Sequence, residues 1–228
     1  MPDALIVAHG SPADPEPAQN TLESLAQAVE RRLPGWRVRA ATLAAPGALE
    51  RAAEGLHAAR VYPFFMAQGV FTGRILPDRL RRAGLSGEIL PPFGTDPDLI
   101  ELATRAVAPL AGHGVILAAH GSRSGSPARL SARNMARALR ARLPGTTVAV
   151  GLIEEPPYLV DVARALPRAA CLPFFALAAG HVCDDIPAAL AQAGATGSIL
   201  PHLGADPGVP GLISAALCAP RSGAGIVI

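Results

Sequence analysis

Short apolar runs alternate along the chain with longer stretches in which apolar positions recur every three or four residues. In the first half, ALIVA (4–8), WRVRAAT (36–42), RVYPFF (60–65) and EIL (88–90) predict strands, and the stretches near 17–33, 47–57, 74–83 and 97–109 predict helices. The second half predicts strands at VILAA (115–119), TVAVGLI (147–153), AACLPFF (169–175) and SIL (198–200), with helices near 127–142, 157–166, 184–193 and 207–218. Runs such as ALIVA and VILAA lack polar alternation, as expected of strands covered on both faces. The regular strand–helix order therefore predicts an α/β chain of doubly wound parallel sheets. Ligands of such sheets sit outside the carboxyl ends of the strands, so the loops after each strand are where chemistry is to be sought.

The order of elements is written twice. ALIVAHGS at 4–11 recurs as VILAAHGS at 115–122, an offset of 111. LPG (33–35), PFF (63–65), RAG (82–84, as QAG), ILP (89–91) and GTDP (94–97, as GADP) all recur 110 residues later. Six anchors in one order, with a single-residue indel, mark a tandem duplication. The joint falls near 111–114, which predicts two domains, 1–111 and 112–228, each with a four-stranded sheet and a cleft between them.

Composition narrows the function. Of 228 residues about half are apolar and 17% are charged, enough apolar surface to offset the entropy of ordering a folded chain. No apolar run approaches the roughly 18–20 residues needed to span a bilayer, and no basic segment precedes an apolar one at the start; a cytoplasmic protein is expected, with no membrane partner. The net charge of +2, spread along the chain, is a poor footprint for nucleic acid. All 20 basic residues are Arg, which excludes Schiff-base and phosphate-loop lysine chemistry. Three cysteines without CxxC spacing argue against a disulfide framework or a structural zinc site.

The two copies differ where ligands belong. His-Gly-Ser follows the first strand of both, at His9-Gly10-Ser11 and His120-Gly121-Ser122. After the third strand, PFFMAQGVFTGRILP (63–77) aligns without a gap on PFFALAAGHVCDDIP (173–187), so His181 falls opposite Phe71. After the second, Glu154 and Glu155 fall opposite Ala44 and Ala45. The second copy thus carries two histidines and a carboxylate pair at neighbouring strand ends, and the first keeps only His9. Two imidazoles and a carboxylate suit a borderline divalent ion such as Co, Ni, Fe or Zn. His120 and His181 are the expected metal ligands and catalytic bases, with Glu154 as third ligand and Glu155 as catalytic carboxylate; adjacency alone does not decide which of the two glutamates faces the ion. His202 is a weaker, peripheral candidate, His57 and His113 read as solvated, Cys183 could serve as a soft ligand, and Cys171 reads as core.

AHGS, the Glu-Pro step of LIEEPPYL, and LPFF with downstream Gly180-His181 and Asp185-Ile186-Pro187 resemble the sirohydrochlorin chelatases, the class II metal chelatases of cobalamin and siroheme synthesis. The resemblance covers both halves. It implies ATP-independent insertion of a divalent metal, cobalt foremost, into sirohydrochlorin or a related tetrapyrrole held between the halves. On that reading the metal is a substrate (Co, Ni or Fe), no organic cofactor is needed, and His9, Ser122, Arg123 and Gly180 contact the tetrapyrrole. Arg74 and Arg123 are candidate clamps for its carboxylates. Phe71, Ala44 and Ala45 depart from the family pattern and imply that the first half has no metal site. The rival reading is a non-catalytic metal or tetrapyrrole carrier, and neither reading fixes an oligomeric state.

Overall fold

The computed structural model describes residues 1–56, 58–110, 112–122, 127–178, 180–220 and 225–228. In chain order the elements are β1 (Asp3–Ala8), α1 (Pro15–Glu30), β2 (Arg37–Thr42), α2 (Ala48–Ala53), β3 (Ala58–Pro63), α3 (Leu76–Arg82), β4 (Ser86–Ile89) and α4 (Leu99–Val107). The second series is β5 (Val115–Ala119), α5 (Pro127–Arg142), β6 (Val148–Leu152), α6 (Leu159–Ala165), β7 (Ala170–Pro173), α7 (Ile186–Ala193), α8 (Val209–Cys218) and β8 (Ile226–Val227). One sheet runs β2-β1-β3-β4-β8 and the other β6-β5-β7. Among the described residues no helix is long and apolar enough to cross a membrane.

The α/β class is as the sequence predicts, and the parallel registers repeat. Ala4 pairs with Val38 and Arg60 in one sheet, and Val115 pairs with Val148 and Ala170 in the other. β1 and β5 are buried almost throughout because helices cover both their faces. α1 shows how: Ala18, Leu22, Ala26 and Val29 are spaced four, four and three apart, which puts them on one buried stripe.

Two expectations are corrected. The sheets are not four strands each. Residues 198–200 make only a parallel bridge, Ile199 to Cys171, whereas the corresponding β4 is flanked on both sides, by β3 in parallel and by β8 antiparallel. A strand with a partner on each side keeps its pleat; the 198–200 segment has one neighbour.

The compact units also do not divide at 111. One comprises Met1–Asp96 with Pro207–Ile228, the other Pro97–Asp206. Each repeat's last helix belongs to the unit built on the other repeat. In the first unit α8 packs on α1 and β3, burying Val209, Leu212, Ile213 and Leu217; each such side chain contributes about 1.5–3 kcal/mol. Gly211, Val209 and Ile213 are poor helix formers, so this packing rather than propensity holds the helix. Arg60 of β3 donates Nη1 to the carbonyls of Leu217 and Ala219, each at 2.6 Å, and so closes the end of α8. In the second unit α4 packs on α5, with Arg142 and Glu101 paired at 2.9 Å.

Candidate metal centre

In the second unit β5 ends in a turn that only glycine fits. Gly121 has φ +75°, and a Cβ there would lie 2.9 Å from Glu155 Cγ. The turn sets His120 at the strand end, where its Nδ1 lies 2.9 Å from the Gly121 carbonyl oxygen. A carbonyl only accepts, so Nδ1 carries the proton and Nε2 presents its lone pair outward.

His181 opens a one-turn π-helix, His181–Asp185, that leads into α7. Its Nδ1 lies 2.6 Å from Asp185 Oδ2. The carboxylate accepts from Nδ1–H, which again leaves Nε2 as the free donor atom and raises its basicity. The two imidazoles meet edge to face, with centroids 4.4 Å apart at 89°. Glu154 Oε1 is 3.8 Å from His120 Nε2. One ligand atom from each of His120, Glu154 and His181 falls within 4.8 Å of the others, a span that one ion can bridge. Two neutral imidazoles and a carboxylate make a borderline donor set suited to divalent Fe, Co, Ni or Zn. Asp184 and Asp185 add negative charge beside it, which favours the approach of a cation.

Glu155 is not at this point, contrary to the catalytic role expected from sequence. It is 6% exposed; it accepts from Ser122 N–H at 2.9 Å and pairs with Arg129 at 3.0 Å. Adjacent residues of an extended segment point to opposite sides, so Glu154 faces the donor cluster while Glu155 lies beneath the His-Gly-Ser turn and braces it. Ser122 enters this arrangement through its backbone. Gly180 precedes His181 with room for a side chain, the nearest atom to a Cβ there being Asp184 Oδ2 at 3.6 Å. Arg123 and His57 lie outside the described residues. Cys183 is exposed and outside the donor cluster; Cys171 is buried, and burial pushes its thiol up to about 12. His202 hydrogen-bonds the Phe175 carbonyl at 3.2 Å through Nδ1, and its burial pulls its pKa below the usual histidine value.

The first unit repeats the frame without the ligands. His9 Nδ1 lies 2.9 Å from the Gly10 carbonyl, and Gly10 has φ +77°. Phe71 opens the matching π turn and meets His9 edge to face at 4.5 Å and 88°, so a benzyl ring lies where the second imidazole lies in the other unit. Ala44 stands in the place of Glu154, and Ile75 in that of Asp185. Gln19, at the position corresponding to Arg129, supports the strand end by accepting from Thr42 N–H at 2.7 Å.

Two residues of the site were not singled out from the sequence. Asp185 had a visible signal, a carboxylate four residues after His181; Arg129 had none, since nothing in sequence links it to Glu155.

The CbiX family model matches the chain twice, over residues 3–110 and 114–219. A solved CbiX, described as the terminal enzyme for biosynthesis of siroheme in denitrifying bacteria, is 46% identical, with 96% of this chain and 100% of that one covered and a TM-score of 0.87. The sirohydrochlorin chelatase SirB from Bacillus subtilis subspecies spizizenii, in complex with cobalt, is 16% identical over 95% of this chain and 94% of its own, with a TM-score of 0.73. SirB from Bacillus subtilis with Fe3+ is 14% identical over 96% of both chains, at 0.77; these two likenesses speak to fold. No curated protein matches in sequence.

Proposed function

Since the chain belongs to the CbiX family, we propose that it is a metal chelatase that inserts a divalent ion into sirohydrochlorin or a closely related tetrapyrrole, without ATP. The observation that carries this reading is the convergence of His120, Glu154 and His181 within 4.8 Å, with both Nδ1 atoms already engaged.

Insertion must strip water from the ion, deliver it to the macrocycle, and remove two pyrrole N–H protons. The reaction balances as the divalent ion plus the free-base macrocycle giving the metallated macrocycle and two protons. The donor cluster replaces part of the hydration shell with Nε2 of His120, Nε2 of His181 and the Glu154 carboxylate. As the ion passes to the pyrrole nitrogens, each imidazole that releases it has a vacant Nε2 lone pair, and neutral imidazole is a competent proton acceptor near neutral pH. Asp185 stabilises the imidazolium that forms at His181 through the Nδ1–H bond. Glu155 is a positioning residue that holds the turn carrying His120.

For the ion, the 46% identical relative serves siroheme biosynthesis, and siroheme carries iron. That favours Fe(II) over the cobalt that the sequence put first, while the donor set accommodates Fe, Co and Ni. Purified protein mixed with excess sirohydrochlorin and Fe(II), Co(II) or Ni(II), followed by absorbance, is expected to metallate many equivalents per chain, fastest with Fe(II). Arrest after one equivalent with every metal would make the protein a carrier and overturn the reading.

A further inference from the structure

The two π turns occupy matching positions of the repeat and carry opposite chemistry. His181–Asp185 reads HVCDD, and Phe71–Ile75 reads FTGRI. Arg74 stands where Asp184 stands in the other copy, so one turn is acidic around an imidazole and the other basic around a benzyl ring. Phe71 is 41% exposed and the preceding Val70 61%, whereas Phe64, Phe93 and Phe174 are buried. Phe71 is held in place rather than loose: its edge-to-face contact with His9 is joined by a stack on Phe65, 6.4 Å between centroids at 21°. Arg74, three residues on, is exposed and has no partner among the described residues.

A fixed aromatic face beside a free guanidinium offers nothing to a metal ion. It suits a flat apolar body with an anionic rim, because the ring stacks and guanidinium grips carboxylate bidentately. Its place, at the carboxyl end of a parallel sheet, is where ligands of this architecture sit. Two exposed apolar side chains are far from the roughly 1,000 Å² that a stable protein interface needs, which argues for a small molecule.

We propose that Val70, Phe71 and Arg74 form a binding surface for the tetrapyrrole itself, with Phe71 and Val70 against the conjugated face and Arg74 on a peripheral carboxylate. This rests on the chelatase reading above and adds to it: the copy without metal ligands is an organic-ligand platform.

The test is equilibrium titration of wild type, Phe71→Ala, Phe71→Leu and Arg74→Gln with metal-free sirohydrochlorin, alongside separate titration with Co(II) alone and size-exclusion chromatography. Phe71→Ala is expected to weaken macrocycle binding about tenfold or more. Phe71→Leu recovers only part of this, since it restores apolar volume without a flat face, and keeps the inference testable if the alanine variant is poorly folded. Arg74→Gln is expected to cost several-fold and to flatten the salt dependence. Co(II) affinity stays at the wild-type value in all three. The inference is overturned if Phe71→Leu and Arg74→Gln bind sirohydrochlorin as wild type does, if Co(II) binding falls in step, or if the only change is loss of a dimer, which would make the patch a contact between copies. Wild-type turnover with unaffected variants sinks this inference alone; failure of wild type to bind sirohydrochlorin sinks the chelatase reading as well.

Discussion

Replacing Asp185 by Ala removes the acceptor that fixes the His181 ring and keeps its proton on Nδ1, a charge-assisted bond of 2.6 Å. Outer partners of this kind are worth about 10- to 100-fold in metal affinity, or about 1.4–2.7 kcal/mol. Two features place this one near the lower end. The Asp185 side chain is 52% exposed and that of His181 32%, so water takes over as acceptor and screening weakens the lost charge. The ring also keeps its edge contact with His120. We therefore expect Asp185→Ala to weaken Co(II) binding about tenfold, and Asp185→Asn to cost less, because an amide oxygen still accepts from Nδ1–H. Titration of Co(II) by its visible absorption, with kcat/KM in parallel, gives both numbers. The decisive comparison is a double-mutant cycle. If Asp185 works through His181, Asp185→Ala costs nothing further in a His181→Ala background. An equal loss in both backgrounds would show that Asp185 acts on the ion directly, and the positioning argument would fail.

His120→Ala and His181→Ala should each lower metallation by orders of magnitude, since each removes a ligand and a proton acceptor together; His9→Ala should raise KM with little change in kcat, and a silent His181→Ala with a dead His9→Ala would reverse the assignment of the two copies. Because His9 and Phe71 reproduce the His120–His181 geometry to within 0.1 Å and 1°, the triple substitution Phe71→His, Ala44→Glu and Ile75→Asp should create a second Co(II) equivalent per chain, read by calorimetric stoichiometry. The buried His202, with its pKa lowered, binds a proton more readily when unfolded; its stabilising contribution is present above the unfolded value near 6.5 and is lost as pH falls through the lower folded value. His202→Gln should flatten the decline of the thermal midpoint on acidification through that window, and an unchanged slope would assign the acid sensitivity to other groups.

Much of this was legible in the sequence for a simple reason: a parallel sheet writes its strands as unbroken apolar runs, and a duplication writes them twice. The repeat also exposed His120 and His181, because a ligand missing from one copy stands out by contrast. Contrast could not separate Glu154 from Glu155, since both differ from alanine; only the alternation of an extended backbone divides them, and its phase depends on how the loop leaves β6. The Arg129–Glu155 pair joins a helix to a loop 26 residues on, with no pattern to announce it. Residues 198–200 have the composition of a strand, but pairing depends on what flanks a segment in space, and the β8 tail lies beside β4 instead.

The exchange of last helices bears on why the copy without metal ligands persists at all. α4 is encoded in the first repeat, yet Leu99, Leu102, Ala103 and Val107 are buried on it in the unit that holds the donor cluster. α8 is encoded in the second repeat and completes the other unit. Cutting the gene at the joint would therefore yield two pieces, 1–111 and 112–228, each missing the helix that its own sheet requires and each carrying the one its sibling lacks. Expressed apart they should be unstable, and expressed together they should recover a folded protein. A copy bound into its twin in this way cannot be discarded when it loses its ligands; selection is left free only to give its vacated site another use.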